Sequence, residues 1–302
     1  MAILNVQNVE KTFDKTRAVQ DLSFTINEGE VFGLLGPNGA GKTTTIRMIM
    51  DIIRPDKGEI SLFGKPNSVA LRELIGYLPE ERGLYKKMKV MDCLLFFAEI
   101  KGVNPKSITG QAEDWLEKME LTKWRDNKVV DLSRGMQQKL QFICTVIHKP
   151  KLIILDEPFT GLDPVNTVLL KDVMLELKKE GTTIIFSTHL MEQVEKLCES
   201  ICLINKGQNV LYGKLDQIKK QFGTNRIRMS YSGSDDFLND KNIVASYDNY
   251  GQYVELVPAG DKTPNQVLKA VVDKVSVLEF KVTDPSLNEI FIKVVKNDSE
   301  AS

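Results

Sequence analysis

The chain has 302 residues, enough for one large domain or two of ordinary size. Hydrophobic residues make up 42% and charged residues 27%, an ordinary globular balance that supplies a core without disulfide or metal staples. The net charge is −1 from 40 basic and 41 acidic residues. Nothing in it calls for a polyanionic partner, and nucleic acid is not expected as one.

Cys93, Cys144, Cys198 and Cys202 form no CxxC pair and read as buried, reduced thiols of a cytosolic protein. The start, MAILNVQNVEKTF, lacks the apolar core of a signal peptide. Apolar runs such as 94–98 and 152–155 fall far short of the ~20 residues needed to cross a bilayer. Work at a membrane would need a span from another polypeptide.

In chain order, residues 2–9 and 19–27 alternate apolar and polar positions, as half-buried strands do. A short apolar run, 31–35, feeds a glycine-rich turn, and a helix is expected over 42–52. Residues 83–146 read as mostly helical. Strand patterns return at KLIILDEP, TTIIFSTH and SICLINKG, with helical segments between them. This alternation predicts an α/β fold with a largely parallel sheet covered by helices. Near Gly223 the pattern changes to strand, short helix or loop, strand, turn at Asn249-Tyr250-Gly251, strand, helix, strand, helix. That order predicts a small α+β, ferredoxin-like second domain. The expected division is 1–222 and 223–302, with a helical subdomain at about 83–146. The tail NDSEAS is expected to fray.

Gly36-Pro37-Asn38-Gly39-Ala40-Gly41-Lys42-Thr43 fits G-x4-G-K-[ST], with Thr44 following. Glycines let backbone N–H groups close around phosphate oxygens, and the following helix points its positive end at the same anion. Lys42 is expected to reach β and γ phosphates, and Thr43 to ligate Mg²⁺. Further on, an apolar strand ends in Asp156-Glu157. Asp156 suits the Mg²⁺ shell, and Glu157 suits orienting or deprotonating an attacking water.

Between these motifs lies Leu132-Ser133-Arg134-Gly135-Met136-Gln137-Gln138. Thr160-Gly161-Leu162-Asp163 and Ser187-Thr188-His189 come after them. The ordered set resembles the ATP-binding cassette family over about residues 2–220. The resemblance implies a P-loop NTPase of ABC type that hydrolyses ATP with Mg²⁺ and works as a dimer. It implies that Phe13 stacks on adenine, against a plain core role. It implies that Ser133, Gly135 and Gln137 lie in the signature capping the γ-phosphate of the opposite subunit, although Ser133 is also a good helix cap. Asp163 matches the acid that crosses the dimer interface. His189 matches the histidine that contacts the γ-phosphate, against a surface histidine. His148 reads as structural or surface, and Trp115 and Trp124 as packing of the helical region.

Two departures stand out. Glu80 occupies the position of the family's glutamine beside the metal, which predicts altered metal dependence rather than loss of activity. Arg134 replaces a common glycine, and either adds a cation near the nucleotide or points to solvent; Met136 replaces a common glutamine. The stretches from Tyr77 to Tyr85 and from Leu132 to Gln138 look like ABC-2-type export ATPases, including the sodium-export type. Asp284-Pro285-Ser286-Leu287-Asn288-Glu289-Ile290-Phe291 is similar to their C-terminal extension. This implies a separate multi-span membrane permease subunit, a homodimer or heterodimer of ATPase subunits, and attachment to the cytoplasmic face of the cell membrane. The second domain would stabilise packing or the dimer, or regulate the motor. The alternative is a soluble ABC-type ATPase acting on ribosomes or another cytosolic assembly. Such proteins carry two cassettes and a charged linker, where this sequence has one cassette and no such linker.

Overall fold

The computed structural model describes residues 1–81, 83–222 and 226–300, with the side chains of 296–300 left aside. Arg82, in the expected 80–89 loop, lies outside the described residues, as do 223–225 at the expected domain division and the last two residues of the tail. The chain divides into two compact units, Met1–Lys214 and Leu215–Ser302. The division falls ahead of the helix Leu215–Gln221, where the sequence pattern places it after that helix.

In the first unit, β1 (Ala2–Phe13) and β2 (Thr16–Asn27) form a long hairpin. Asp14 turns it in a left-handed conformation, φ 51°, which aspartate tolerates better than most residues. Next come β3 (Val31–Leu35), α1 (Lys42–Ile49), β4 (Lys57–Leu62), β5 (Lys65–Pro66) and β6 (Ile75–Leu78). The helical stretch follows as α2 (Val90–Ile100), α3 (Pro105–Lys118) and α4 (Arg134–Val146). The unit finishes with β7 (Leu152–Asp156), α5 (Pro164–Lys179), β8 (Thr183–Thr188), α6 (Met191–Leu197), β9 (Ser200–Asn205) and β10 (Gln208–Lys214).

Two sheets result. One runs β2-β1-β4-β5 and is antiparallel; the other runs β10-β9-β3-β8-β7-β6. In the second sheet β9, β3, β8, β7 and β6 are parallel, and β10 closes one edge antiparallel. All residues of β3, β7 and β8 are buried, which is why they read as continuous apolar runs rather than alternating ones. The expected parallel sheet is present. The separate antiparallel sheet is a finding of the structure, because its short members β4 and β5 leave little pattern.

Helix α1 ends at Ile49, three residues before the expected end. Asp51 adopts φ 50°, and the Asn67 side chain donates to the carbonyls of Met48 and Ile49 at 3.2 and 2.9 Å. The helix stops where its last carbonyls find that partner.

The second unit comprises α7 (Leu215–Gln221), β11 (Arg226–Ser232), β12 (Val244–Asn249), β13 (Val254–Pro258), α8 (Pro264–Val272), β14 (Ser276–Thr283) and α9 (Leu287–Glu300). A single 3₁₀ turn, Asp235–Asn239, stands where a ferredoxin-like unit has its first helix. The sheet order is β12-β13-β11-β14, all antiparallel. Thr263 and Gln266 cap α8 reciprocally. Helix α9 continues to Glu300, through most of the polar tail expected to fray.

A candidate nucleotide site at the carboxyl ends of the sheet

The loop between β3 and α1 carries glycines that its path demands. Gly36 has φ 150°, and a Cβ there would sit 2.2 Å from the Ile204 carbonyl oxygen. Gly41 has φ 109°, and a Cβ would sit 2.5 Å from the Ala18 oxygen. Only glycine accepts both constraints. Gly41 precedes α1 with no side-chain cap, and the first turn has no acid, so the positive end of the helix is left for an outside anion.

Lys42 is 6% exposed. Its Nζ donates to the carbonyls of Gly36 at 2.8 Å and Pro37 at 3.1 Å, and lies 3.9 Å from Glu157 Oε1. Burial draws its pKa below the ordinary lysine value, while Glu157, Asp156 and Glu80 pull the other way.

Asp156 and Glu157 end β7 beside β8, in a parallel register that sets Asp156 opposite Ser187. The Ser187 hydroxyl donates to Asp156 Oδ1. Asp156 Oδ2 is buried and has no hydrogen-bond partner. Glu157 takes a left-handed backbone, φ 50°, and its N–H reaches both the carbonyl and the hydroxyl oxygen of Ser187 at 3.2 Å. Backbone strain of this kind persists only where the surroundings hold it. The Glu157 carboxylate sits 3.0 Å from His189 Nδ1 and accepts from Thr188 Oγ1 at 3.4 Å. The His189 side chain is 45% exposed against 10% for Glu157, so a buried acid is tied to a solvent-facing imidazole.

A cavity of about 920 Å³ opens here, walled by Asn38, Gly39, Gly41, Lys42, Thr43, Thr44, Glu80 and Glu157. Thr43, Glu80 and Asp156 share the wall of an adjoining cavity of about 410 Å³. These are the three residues expected at a metal. Among the described residues no cluster of three His, Cys, Asp or Glu could hold an ion unaided. The unpaired Asp156 Oδ2 fits the shell of a divalent ion.

The remaining expected residues stand apart from that wall. Ser133 caps α4, its hydroxyl accepting from Met136 N at 3.3 Å. Gly135 has room for a Cβ, the nearest atoms being 3.7 Å away, so its own chain does not require glycine. The Gln137 side chain turns inward and donates to the carbonyls of Val129 and Leu132 at 3.3 and 3.0 Å. Asp163 caps α5, and its bonds from the backbone and side chain of Asn166 hold its carboxyl below the usual range. Phe13 is 45% exposed at the hairpin tip, with Lys11 Nζ 5.6 Å from the ring centre, so it is no core residue. His148 is structural: its Nε2 meets the Ile75 carbonyl at 3.3 Å, and burial pushes its pKa down to about 4. All four cysteines are buried free thiols.

Sequence reasoning missed part of the wall: Lys15, Thr16, Arg17, Gln20 and Lys206 also line the larger cavity. Their only signal was position, since the hairpin and the β9–β10 turn are bonded beside the glycine loop. Gln20 N donates to Gly207 O at 2.8 Å, and Gly207 N to Ala40 O at 2.9 Å.

Residues 19–160 match the ABC transporter family, and residues 213–295 match the C-terminal domain of DrrA1-3-like ATP-binding proteins. The uncharacterized ABC transporter ATP-binding protein YhaQ of Bacillus subtilis is 43% identical over 293 residues, 97% of this chain and 98% of that protein. Nod factor export ATP-binding protein I of Burkholderia lata is 38% identical over 216 residues, 70% of this chain and 71% of that protein. Among solved structures, the ATP-binding subunit of an ABC transporter matches with a TM-score of 0.69 and 31% identity, over 73% of this chain and 93% of its own. No helix among the described residues is long and apolar enough to cross a membrane. With its glycine loop, buried lysine and paired carboxylates set in this order, the chain belongs to the ABC transporter family as an ATP-binding subunit, an ATPase whose hydrolysis is coupled to transport.

Proposed function

We propose that the chain is the motor of an exporter, working with a separate multi-span membrane subunit at the cytoplasmic face of the cell membrane. The observation that carries the reading is that buried Lys42 and Glu157 face the cavity, with the solvent-facing His189 tied to Glu157 at 3.0 Å. Export is supported by the likeness to a relative named for Nod factor export.

In this reading the glycine loop and Lys42 cradle the phosphates of ATP, and Phe13 meets the adenine. Thr43, Asp156 and Glu80 would hold Mg²⁺, which supplies charge neutralisation at the phosphates when bound. Glu157 orients the attacking water and takes up its proton, and His189 holds that carboxylate while facing the γ-phosphate. Ser133 and Gly135, with Gln137 bracing their loop, serve the site of a second subunit, and Asp163 lies beside that interface. The free space at Gly135 supports this role, since its small size answers to no neighbour in its own chain. Phosphoryl transfer depends on positioning and charge stabilisation, so a site split between two chains is complete only when they close. Closure on ATP and reopening after hydrolysis would move the membrane subunit through the helical region 83–146 and the loop 80–89.

The test is an affinity pull-down from detergent-solubilised native membranes, with mass spectrometry of what binds. A co-purifying polytopic membrane protein is the expected result. Recovery only with ribosomal or other cytosolic partners would leave the ATPase standing and overturn the exporter reading.

A further inference from the structure

The second unit ends its sheet on an uncovered strand. β14 lies at one end of the order β12-β13-β11-β14, and at eight residues it is the longest strand of that sheet. β11 pairs with one side of it. Among the described residues no hydrogen bond outside the ladder joins its other side to another segment. Leu278 is 71% exposed and Val282 50% exposed on the strand. An edge that is long, partly apolar and unpaired is a template for another strand.

The order of residues in β14 says which strand fits. SVLEFKVT laid antiparallel against itself, centred on Phe280, sets Glu279 opposite Lys281 of the second copy and Lys281 opposite its Glu279. Phe280 then faces Phe280, while Leu278 is the extra residue of the irregularity, with no partner on β11. The Glu279–Lys281 contact occurs twice and Phe280–Phe280 once on the axis, as a two-fold interface requires. Acid meets base twice and ring meets ring at the centre, pairings that stabilise neighbouring antiparallel strands. The register with β11 is regular from Met229–Phe280 to Arg226–Thr283; the irregularity lies beyond Glu279, toward Val277. The charged pair and its centre therefore lie at the end of the strand where pairing is undistorted. Glu279 and Lys281 are both exposed, and neither makes an ion pair among the described residues. The opposite edge, β12, reads VASYDN and carries an acid with no base, so the same self-pairing is not available there.

We propose that β14 is a homodimerisation edge that pairs with β14 of a second copy of this chain, antiparallel and centred on Phe280, without nucleotide. This contact belongs to the second unit alone and goes beyond the nucleotide-closed dimer of the motor reading.

Sedimentation velocity of the full chain, without nucleotide, tests it. The wild type is expected to dimerise. Lys281→Glu places acid opposite acid twice, and should weaken the dimer about ten-fold or more. Glu279→Lys should do the same with two bases. The double variant Glu279→Lys/Lys281→Glu restores opposite charges across the two-fold, and should recover the wild-type association. ATP binding by all three variants should match the wild type, so the outcome does not depend on the motor reading. A monomeric nucleotide-free wild type, an unchanged Lys281→Glu, or a double variant as weak as the single ones would each overturn the proposal.

Discussion

The two units bury different things. Every buried polar or charged side chain among the described residues lies in the first unit, including Lys42, Asp156, Glu157, Ser187 and Thr188. The second unit closes its sheet over Ile227, Met229, Phe237, Leu238, Val254, Leu256, Val267 and Val271, all apolar. Burying a charge costs stability unless it is paired, and a left-handed glutamate costs more. The first unit carries both burdens where its sheet meets the cavity. The second has no left-handed residue other than glycine and no buried charged residue among those described, although the Arg228 Nε atom is shielded without a hydrogen-bond partner. Lys42, Asp156 and Glu157 are the buried charged residues that meet the cavities.

The sharpest way to break this contrast is to remove the acid that the first unit holds under strain. Glu157→Gln should lower ATP turnover by about 10²–10⁴-fold, the range of a lost general base, while leaving ATP binding within a few-fold of wild type. Turnover and equilibrium binding assays separate the two quantities. Retained turnover would mean that the buried carboxylate is structural.

The same contrast made on the other side calls for an apolar truncation. Leu256 is fully buried in the second unit. Leu256→Ala should cost about 2–5 kcal/mol of that unit's stability, read by denaturant unfolding, with ATP binding by the first unit unchanged. A fall in ATP affinity would show that the two cores are not independent.

A smaller effect concerns pH. His148 has a folded pKa of about 4 against an ordinary 6.5, chiefly from burial. The unfolded chain takes up the proton first, so the stability is fully present above pH ~6.5 and is lost as pH falls toward ~4. After allowance for partial exposure, the first unit should lose about 1 kcal/mol between pH 7 and 5 from this group. His148→Gln should flatten that slope in urea titrations at the two pH values; an unchanged slope would remove His148 as its source.

What the sequence disclosed was whatever is local along the chain. The glycine loop, Lys42 and the pair Asp156-Glu157 are contiguous and keep their meaning before folding. The second unit was legible for the same reason: its strands, turn and helices follow one another along the chain as separate short segments. What stayed hidden depends on residues brought together from afar. Ser187 was visible only as the lead-in to His189, and its hold on the Asp156 carboxylate and the Glu157 backbone N–H comes from the parallel register with β7. Lys15, Arg17 and Lys206 join the cavity wall only because the hairpin and the β9–β10 turn close beside the glycine loop. The strands β4 and β5 were missed because β5 has only two residues and β4 buries just Ile60 and Leu62, too few positions to show a period.

The most direct test of a site shared between two chains is complementation. Lys42→Ala chains lack the phosphate lysine but keep the Ser133–Gly135 segment; Gly135→Asp chains keep the lysine but lose that segment. Each should be inactive alone. Mixing them before adding MgATP should restore turnover, because one site in the mixed dimer joins both intact halves. A mixture as inactive as its components, with both chains folded and associated, would contradict the shared site.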